Sequence, residues 1–551
     1  MKHYRLKSIL ACALAVVLAL AGSSCAKNNA SAPSGTLPSE ISGTGPSWTW
    51  DTSPVTIKAF IGLVGYGYKW NTQIACMGEF TKNTGISIDM QSGDSTVLNA
   101  LVASGNLPDV MVMDSVTNPT RASLEKNGLL WDFDTLIQKY APDLQIPQSM
   151  KNWYDQEGKL YGYPSNYFAP EDFEKYPDVA KLEYHNKFIV RKDICDSLGI
   201  ELSSFSTQDG FINALLKVKN ASIVHNGTKL QTNYFHVTPD PRRLTPLFGL
   251  EVEDSSGNYQ DPRFQGKYLE ALQFINRMYR EGLIPEDAWT ASADSIKSKL
   301  AQGAVFSLFD TTTSGDVYSL QKVVPEATFV PVMPPASKSG GEPLIAGAAT
   351  AGWTWLVIPK ATKVPDRLIR MISFLASDEG QLLSYYGVKD TMWTLDTNGR
   401  IKFVPDVEKQ VLDNFSATQK KYGMTFFPWC FNWMTYQRFN PVPSVPATIA
   451  DSEINDYFRK FVYDGRAAEN IDPDRGTDLL ALQTKINNYW NQQEILMMRA
   501  ASEDECTKVY NEAIAKIKEM GVQKIIDSQN EKFKANKVKA GQEFMLPTNR
   551  K

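Results

Sequence analysis

Cysteine is scarce in this chain, with six residues in 551. Cys12 and Cys25 lie near the start, and the other four, Cys76, Cys195, Cys430 and Cys506, are far apart. No Cys-x-x-Cys occurs and no histidine stands at metal-ligand spacing from them, which excludes a zinc ribbon or a dithiol redox motif and predicts buried thiols. Histidine is rarer still, at four residues, and no Gly-x-Ser-x-Gly marks a hydrolase nucleophile. Lys and Arg (57) are outnumbered by Asp and Glu (61), so the basic stripe that nucleic acid requires is missing and no nucleic-acid partner is expected. After residue 22 no run is long and apolar enough to span a bilayer. A hydrophobic content of 43% with 21% charge describes a globular chain, long enough for two lobes with cores of their own.

The first residues are the exception. Met1–Lys7 is basic, Ser8–Gly22 is almost wholly apolar, and the run ends Ala21-Gly22-Ser23-Ser24-Cys25. The apolar core is short for a bilayer span of about 20 residues. With Lys2, Arg5 and Lys7 before it and small residues behind, it reads as an export signal over residues 1–24. Loss of those three cations takes the formal charge from −4 to −7. Cys25, directly after the small residues, is the expected site of acylation, although Gly22 stands where a lipobox usually has Leu. The protein is thus expected at the extracytoplasmic face of the cell membrane, held through a lipid anchor. Residues 25–50 are rich in Ser, Gly and Pro and read as a flexible tether.

From Val55 the pattern alternates between strand and helix. Val55–Ala59 and Ile86–Met90 have strand periodicity, and Val110–Met113 is apolar on both faces, as in a buried parallel strand. Helices over 71–83 and 97–103 separate them, which is the order of a doubly wound α/β lobe. Buried strands follow at Val305–Phe309 and over 328–333, then a strand over 351–359 and one helix over 366–385. The C-terminal part is helical, with Gly521 at a helix end. The fold class is α/β.

Several segments together resemble the family 1 extracellular solute-binding proteins. They are Leu98–Asp114, Phe188–Gly199 with its Arg-Lys-Asp-Ile-Cys-Asp-Ser-Leu-Gly, Tyr279–Pro285, and Ile372–Gly387 with its Phe-Leu-Ala-Ser-Asp-Glu-Gly-Gln-Leu-Leu-Ser-Tyr-Tyr-Gly. Thr394–Gly399 continues in the manner of the oligosaccharide- and alginate-binding lipoproteins of that family. The resemblance implies a type II periplasmic-binding-protein-like fold of two discontinuous lobes, at 51–163 with 333–418 and at 164–332 with 419–540, joined by hinge strands. It also implies no catalysis. A monomer would capture a small-molecule carbohydrate and hand it to the membrane subunits of an ABC permease. Relatives in the alginate-binding subgroup carry a calcium loop where this chain runs Asn220–Lys229 without clustered carboxylates, so no metal and no cofactor are expected.

A sugar cleft needs aromatic platforms and a few aimed polar groups. The platforms come from three clusters: Tyr66, Tyr68 and Trp70; Trp353 and Trp355; and Trp429 and Trp433. The resemblance favours Trp429 and Trp433, and adds Trp289. For any one of these rings, core packing is the alternative. Polar groups come from strand ends, where open α/β sheets bind ligand: Asp114 and Asp310 each close a buried strand, and Tyr163 and Asn166 lie at the first crossing between lobes. Arg191 offers a bidentate fork, and Asp94 and Trp393 are further candidates. Competing readings are an exported glycoside hydrolase, which would need a carboxylate pair across a cleft, and a surface glycan-capture lipoprotein of helical repeats.

Overall fold

The computed structural model describes residues 35–549 except 64–65, 156–157, 226, 311–312 and 475. The signal at 1–24, Cys25 and the tether up to residue 34 lie outside the described residues.

Among the described residues two large hydrophobic cores organise the chain, beside a small third cluster around Phe533 and Leu546. The first surrounds a five-stranded sheet in the order Ile86–Ser92, Val55–Ile61, Val110–Met113, Trp355–Val357, Tyr163–Pro164. Val55–Ile61 runs parallel to both neighbours, whereas Trp355–Val357 is antiparallel to both of its own. All four side chains of Val110–Met113 are buried, the result expected for an unbroken apolar run at the centre of a sheet. Helices Ala75–Thr84 and Ser95–Ser104 link the parallel strands and end on Gly85 and Gly105 in the left-handed region. The second core surrounds a sheet in the order Phe329–Pro331, Ile189–Arg191, Val305–Phe309, Gln231–Phe235, in which only the last pair is parallel.

The chain changes core three times: between Ala169 and Tyr184, between Ile345 and Ala351, and between Cys430 and Ala447. The borders expected at 163, 332 and 418 lie before these changes of core. Ile345 is in the second core, and Met424 to Cys430 are in the first, where Phe426 and Phe427 pack on Trp70 and Phe80. The crossings converge on one hinge. The Trp353 amide donates to the Ser165 carbonyl at 2.8 Å, the Ser165 amide to Thr354 at 3.0 Å, and the Asn166 amide to Phe431 at 2.9 Å. Gly352 is required there: its φ is +105°, and a Cβ would stand 3.0 Å from Pro164 and 3.2 Å from the Ser165 carbonyl.

Three further departures have local causes. The single helix expected over 366–385 is two, Pro365–Ala376 and Asp378–Tyr386, because extended Ser377 caps the second by accepting from the Gly380 amide at 3.2 Å. The strand expected over 351–359 narrows to Trp355–Val357. The part of the tether at 35–50 lies against the first lobe. Its Pro38 carbonyl accepts from the Tyr140 hydroxyl at 2.6 Å, its Ser47 amide donates to Asp143 at 3.0 Å, and Trp48 meets Phe374 edge-on at 5.6 Å. Its composition hid this, since Leu37 and Trp48 supply the apolar area that Ser, Gly and Pro lack. The C-terminal helices are Asp478–Met498, Glu503–Glu519 and Val522–Ala540. Cys76, Cys195, Cys430 and Cys506 are free and buried, and no helix among the described residues is long and apolar enough to cross a membrane.

Candidate ligand-binding cleft

Register decides which residues share the carboxyl edge of each sheet. In the first lobe Ile61 pairs with Ser92 and Val112, and Trp355 with Met113 and Pro164. Gly62, Asp114, Thr354 and Ser165 therefore continue along one edge. In the second lobe Phe235 pairs with Phe309, and Ile189 with Leu308, so His236, Asp310 and Lys187 lie along the corresponding edge. The hinge joins these two edges, since the Ala348 amide donates to the Glu183 carbonyl at 2.7 Å. The space between them is the candidate cleft. Arg466 and Glu469 clamp its hinge: the Arg466 guanidinium donates to the Phe168 carbonyl at 2.8 Å, and Glu469 accepts from the amides of Thr350 at 2.8 Å and Ala351 at 3.1 Å. Burial holds the Glu469 carboxyl above the usual carboxylate range.

On the second-lobe edge, the nearly buried Asp310 carboxylate contacts Nδ1 of His236, and the Arg243 guanidinium stands 4.0 Å away. His236 is 41% exposed. Neither His236 nor Arg243 was legible in the sequence, because strand pairing joins residues 74 apart in the chain. Close by, Asp451 on helix Pro446–Tyr457 is raised to about 6, chiefly by burial, against the opposing pull of Lys187. On the first-lobe edge Asp114 accepts from the Asn118 amide at 2.7 Å. Beside it Trp353 is 42% exposed, lying outside the strand that holds Trp355, so the two rings do not share a face. At the hinge, half-buried Trp433 stacks on Phe168 at 5.9 Å and meets Phe431 edge-on at 4.5 Å. Asn166 sits beside them with φ +62°, a conformation that Asn tolerates. The Asn166 Oδ1 and the Trp433 Nε1 are buried without a hydrogen-bond partner, an arrangement that a bound polar molecule would relieve.

The remaining candidates go elsewhere. Trp429 is 0% exposed, and its Nε1 donates to the Phe426 carbonyl at 3.1 Å, in the core of the first lobe. Trp355 is equally buried, beneath the Arg121 guanidinium at 3.7 Å. Neither has a free face, because each fills the layer between sheet and helices. Arg191 is fully buried and spends its fork on Asp193 at 2.7 and 2.5 Å. It also lies at the end of its strand away from Asp310, since Ile189 and not Arg191 pairs beside Leu308. Trp289 packs between Tyr279 at 5.6 Å and Arg499 at 5.2 Å, among helices of the second lobe. Tyr66 and Tyr68 follow the Val55–Ile61 strand and spend their hydroxyls on the carbonyls of Phe426 and Met424. They are half-buried, and Trp70 packs edge-on against Phe80 and Phe426. Tyr163 is buried near Cys430 and Asp172. Asp94 caps helix Ser95–Ser104, and Trp393 is buried with its Nε1 on the Gly387 carbonyl at 2.7 Å. Among the described residues no three His, Cys, Asp or Glu side chains gather as a metal site.

The profile of the bacterial extracellular solute-binding protein family matches residues 71–382. The chain belongs to this family. The fructooligosaccharide ABC transporter substrate-binding protein FusA of Streptococcus pneumoniae serotype 4 is 25% identical over 236 residues, which are 40% of this chain and 43% of FusA. The chain thus aligns with less than half the length of that relative. Among solved structures, S. pneumoniae FusA in complex with kestose is 17% identical, covers 88% of this chain and 100% of its own, and gives a TM-score of 0.63. An extracellular solute-binding protein from Bifidobacterium longum subsp. infantis is 14% identical over 88% and 98% of the two chains, with a TM-score of 0.65. The alginate-binding protein AlgQ2 without calcium ion is 17% identical over 88% and 98%, at 0.61. The fold is the two-lobed, type II periplasmic-binding-protein-like α/β fold that the family resemblance implied.

Proposed function

We propose that this family member is a non-enzymatic receptor, anchored through a lipid on Cys25, that captures a sugar or oligosaccharide and delivers it as a monomer to the membrane subunits of an ABC permease. One observation carries the reading. Asp114 and Asp310 stand on the carboxyl edges of two sheets joined by a hinge that also holds Trp433, with exposed Trp353 on the first edge. Flat aromatic area with a few carboxylate and amide groups is what the C–H faces and hydroxyls of a sugar require. Rotation about the hinge would bring the edges together around the ligand. His236 and Arg243 would hold the Asp310 carboxylate in place for hydroxyl donors. FusA, described as a fructooligosaccharide-binding protein and solved with kestose, supports an oligosaccharide cargo.

The reading is tested by thermal unfolding of the mature protein against a panel of neutral and acidic oligosaccharides that includes kestose. A ligand at one hundred times its dissociation constant adds about 2.7 kcal/mol of stability. Incubation with a labelled ligand should leave its chain length unchanged, and turnover would overturn the receptor reading in favour of a glycoside hydrolase. Replacing Cys25 with Ser should release the protein into the medium, and unchanged retention at the membrane would overturn the lipid anchor.

A further inference from the structure

A solvent-open cavity of about 830 Å³ lies in the first lobe, apart from the cleft. One wall is Pro46 and Trp48 of the packed N-terminal segment, another runs from Asp143 to Met150, a third is Ser373 to Asp378, and the rest comes from the two crossing segments around Tyr163–Tyr176 and Phe431–Arg438. None of its lining belongs to the second core. Four carboxylates reach the wall against two cations, Lys175 and Arg438. Three of the four are committed. Asp143 accepts from the Ser47 amide at 3.0 Å, Glu171 from the Ser149 amide at 2.8 Å and hydroxyl at 2.6 Å, and Asp378 from Thr435 and Arg438, each at 2.9 Å.

Asp172 differs. Its carboxylate accepts no hydrogen bond, and burial holds it above the usual range despite Lys175 and Arg438. Near it the Tyr163 hydroxyl, on a side chain only 6% exposed, also has no hydrogen-bond partner. The carboxylate and the phenol oxygen reach a solvent-open cavity without a protein hydrogen-bond partner, and each can accept from a donor there. The Tyr163 ring lines the same space, whereas Tyr176 already faces Lys175 and Arg438 and Tyr167 already faces Arg466, and aromatic faces attract cations. An anion would meet a net excess of two carboxylates, whereas an ammonium group has only donors and carries the complementary charge.

We propose that this cavity is a second ligand site, separate from the cleft, for a small organic cation whose ammonium pairs with Asp172 and donates to Tyr163. Because two crossing segments form its wall, an occupant would touch the elements that reorient when the lobes rotate.

The test uses the mature protein with spermidine and with ethanolamine as probes, and sorbitol and acetate as uncharged and anionic controls. Binding is read by calorimetry and by the rise in unfolding temperature. At least one cation should bind, the controls should not, and Asp172→Asn should weaken that cation about tenfold or more, the equivalent of about 1.4 kcal/mol. The isosteric variant should keep the wild-type unfolding temperature without probe. Should it unfold early, Trp48→Phe supplies the second readout, because the indole lines the cavity and its loss should remove the probe-induced fluorescence change. Absence of binding by both cations, equal binding by the controls, or undiminished cation binding by Asp172→Asn would each overturn the proposal.

Discussion

Nδ1 of His236 meets Oδ2 of Asp310 across two neighbouring parallel strands, at the carboxyl edge of the second lobe. His236 holds Oδ2, and the Arg243 guanidinium stands 4.0 Å from the other oxygen, Oδ1. A hydrogen bond to a charged group contributes about 1.5–3 kcal/mol. Asp310→Asn should therefore weaken oligosaccharide binding about 10- to 100-fold, and His236→Ala should cost less, since it disturbs only the carboxylate's orientation. Calorimetry on the cognate glycan checks both. Unchanged affinity in Asp310→Asn would remove this edge from the binding site.

Two tryptophans four residues apart should respond in opposite ways. Trp433 is half-buried at the hinge, stacked on one side by Phe168, whereas Trp429 is wholly enclosed. Trp433→Ala should lower affinity about tenfold and cost less stability than Trp429→Ala, since it removes a half-buried ring whose pairs with Phe168 and Phe431 are each worth about 0.5–1.5 kcal/mol beyond their area. Trp429→Ala should instead destabilise the first lobe by about 3–5 kcal/mol. Chemical denaturation and ligand titration of the two variants separate the roles.

The contrast also shows where sequence reasoning reaches its limit. The alternation of strands and helices from Val55 and the apolar run Val110–Met113 were legible because periodicity encodes burial locally. Asp114 and Asp310 were legible as strand ends. Trp429 and Trp433 share one aromatic segment, and only the three-dimensional course of residues 424–433 decides which ring faces inward. Arg191 carried the right chemistry for a ligand, but Asp193, two residues on, already occupies it. Arg466 and Glu469, which grip both hinge strands, had no local signature, since their partners lie more than 100 residues away.

The N-terminal segment should matter for stability as well as reach. Arg367, buried on helix Pro365–Ala376, donates to the Ser53 carbonyl at 2.9 Å and the Thr84 carbonyl at 2.8 Å, and pairs with Asp51 at 3.3 Å. Arg367→Ala leaves those acceptors without their shared donor. It should destabilise the first lobe by about 2–3 kcal/mol. Asp51→Ala, which removes one partly exposed partner, should cost under about 1 kcal/mol. Equal effects in urea denaturation would mean that the segment is not held through Arg367.

Asp451 should make stability fall as pH rises. Its folded carboxyl sits at about 6 against an ordinary value of 3.8, because burial beside Asp316 and Glu183 outweighs Lys187 and the hydrogen bond from Asn455. Between those values the folded state binds a proton that the unfolded state has released, so the slope of stability with pH is negative for this group. The stabilising protonated form is complete below about pH 4 and is lost as pH passes through 6. Asn at this position cannot titrate. Wild-type protein should therefore lose about 1–2 kcal/mol more than Asp451→Asn between pH 4.5 and 7, after allowance for solvent screening. Denaturation curves of the two proteins that run parallel across that range would show that the carboxyl is not held above its ordinary value.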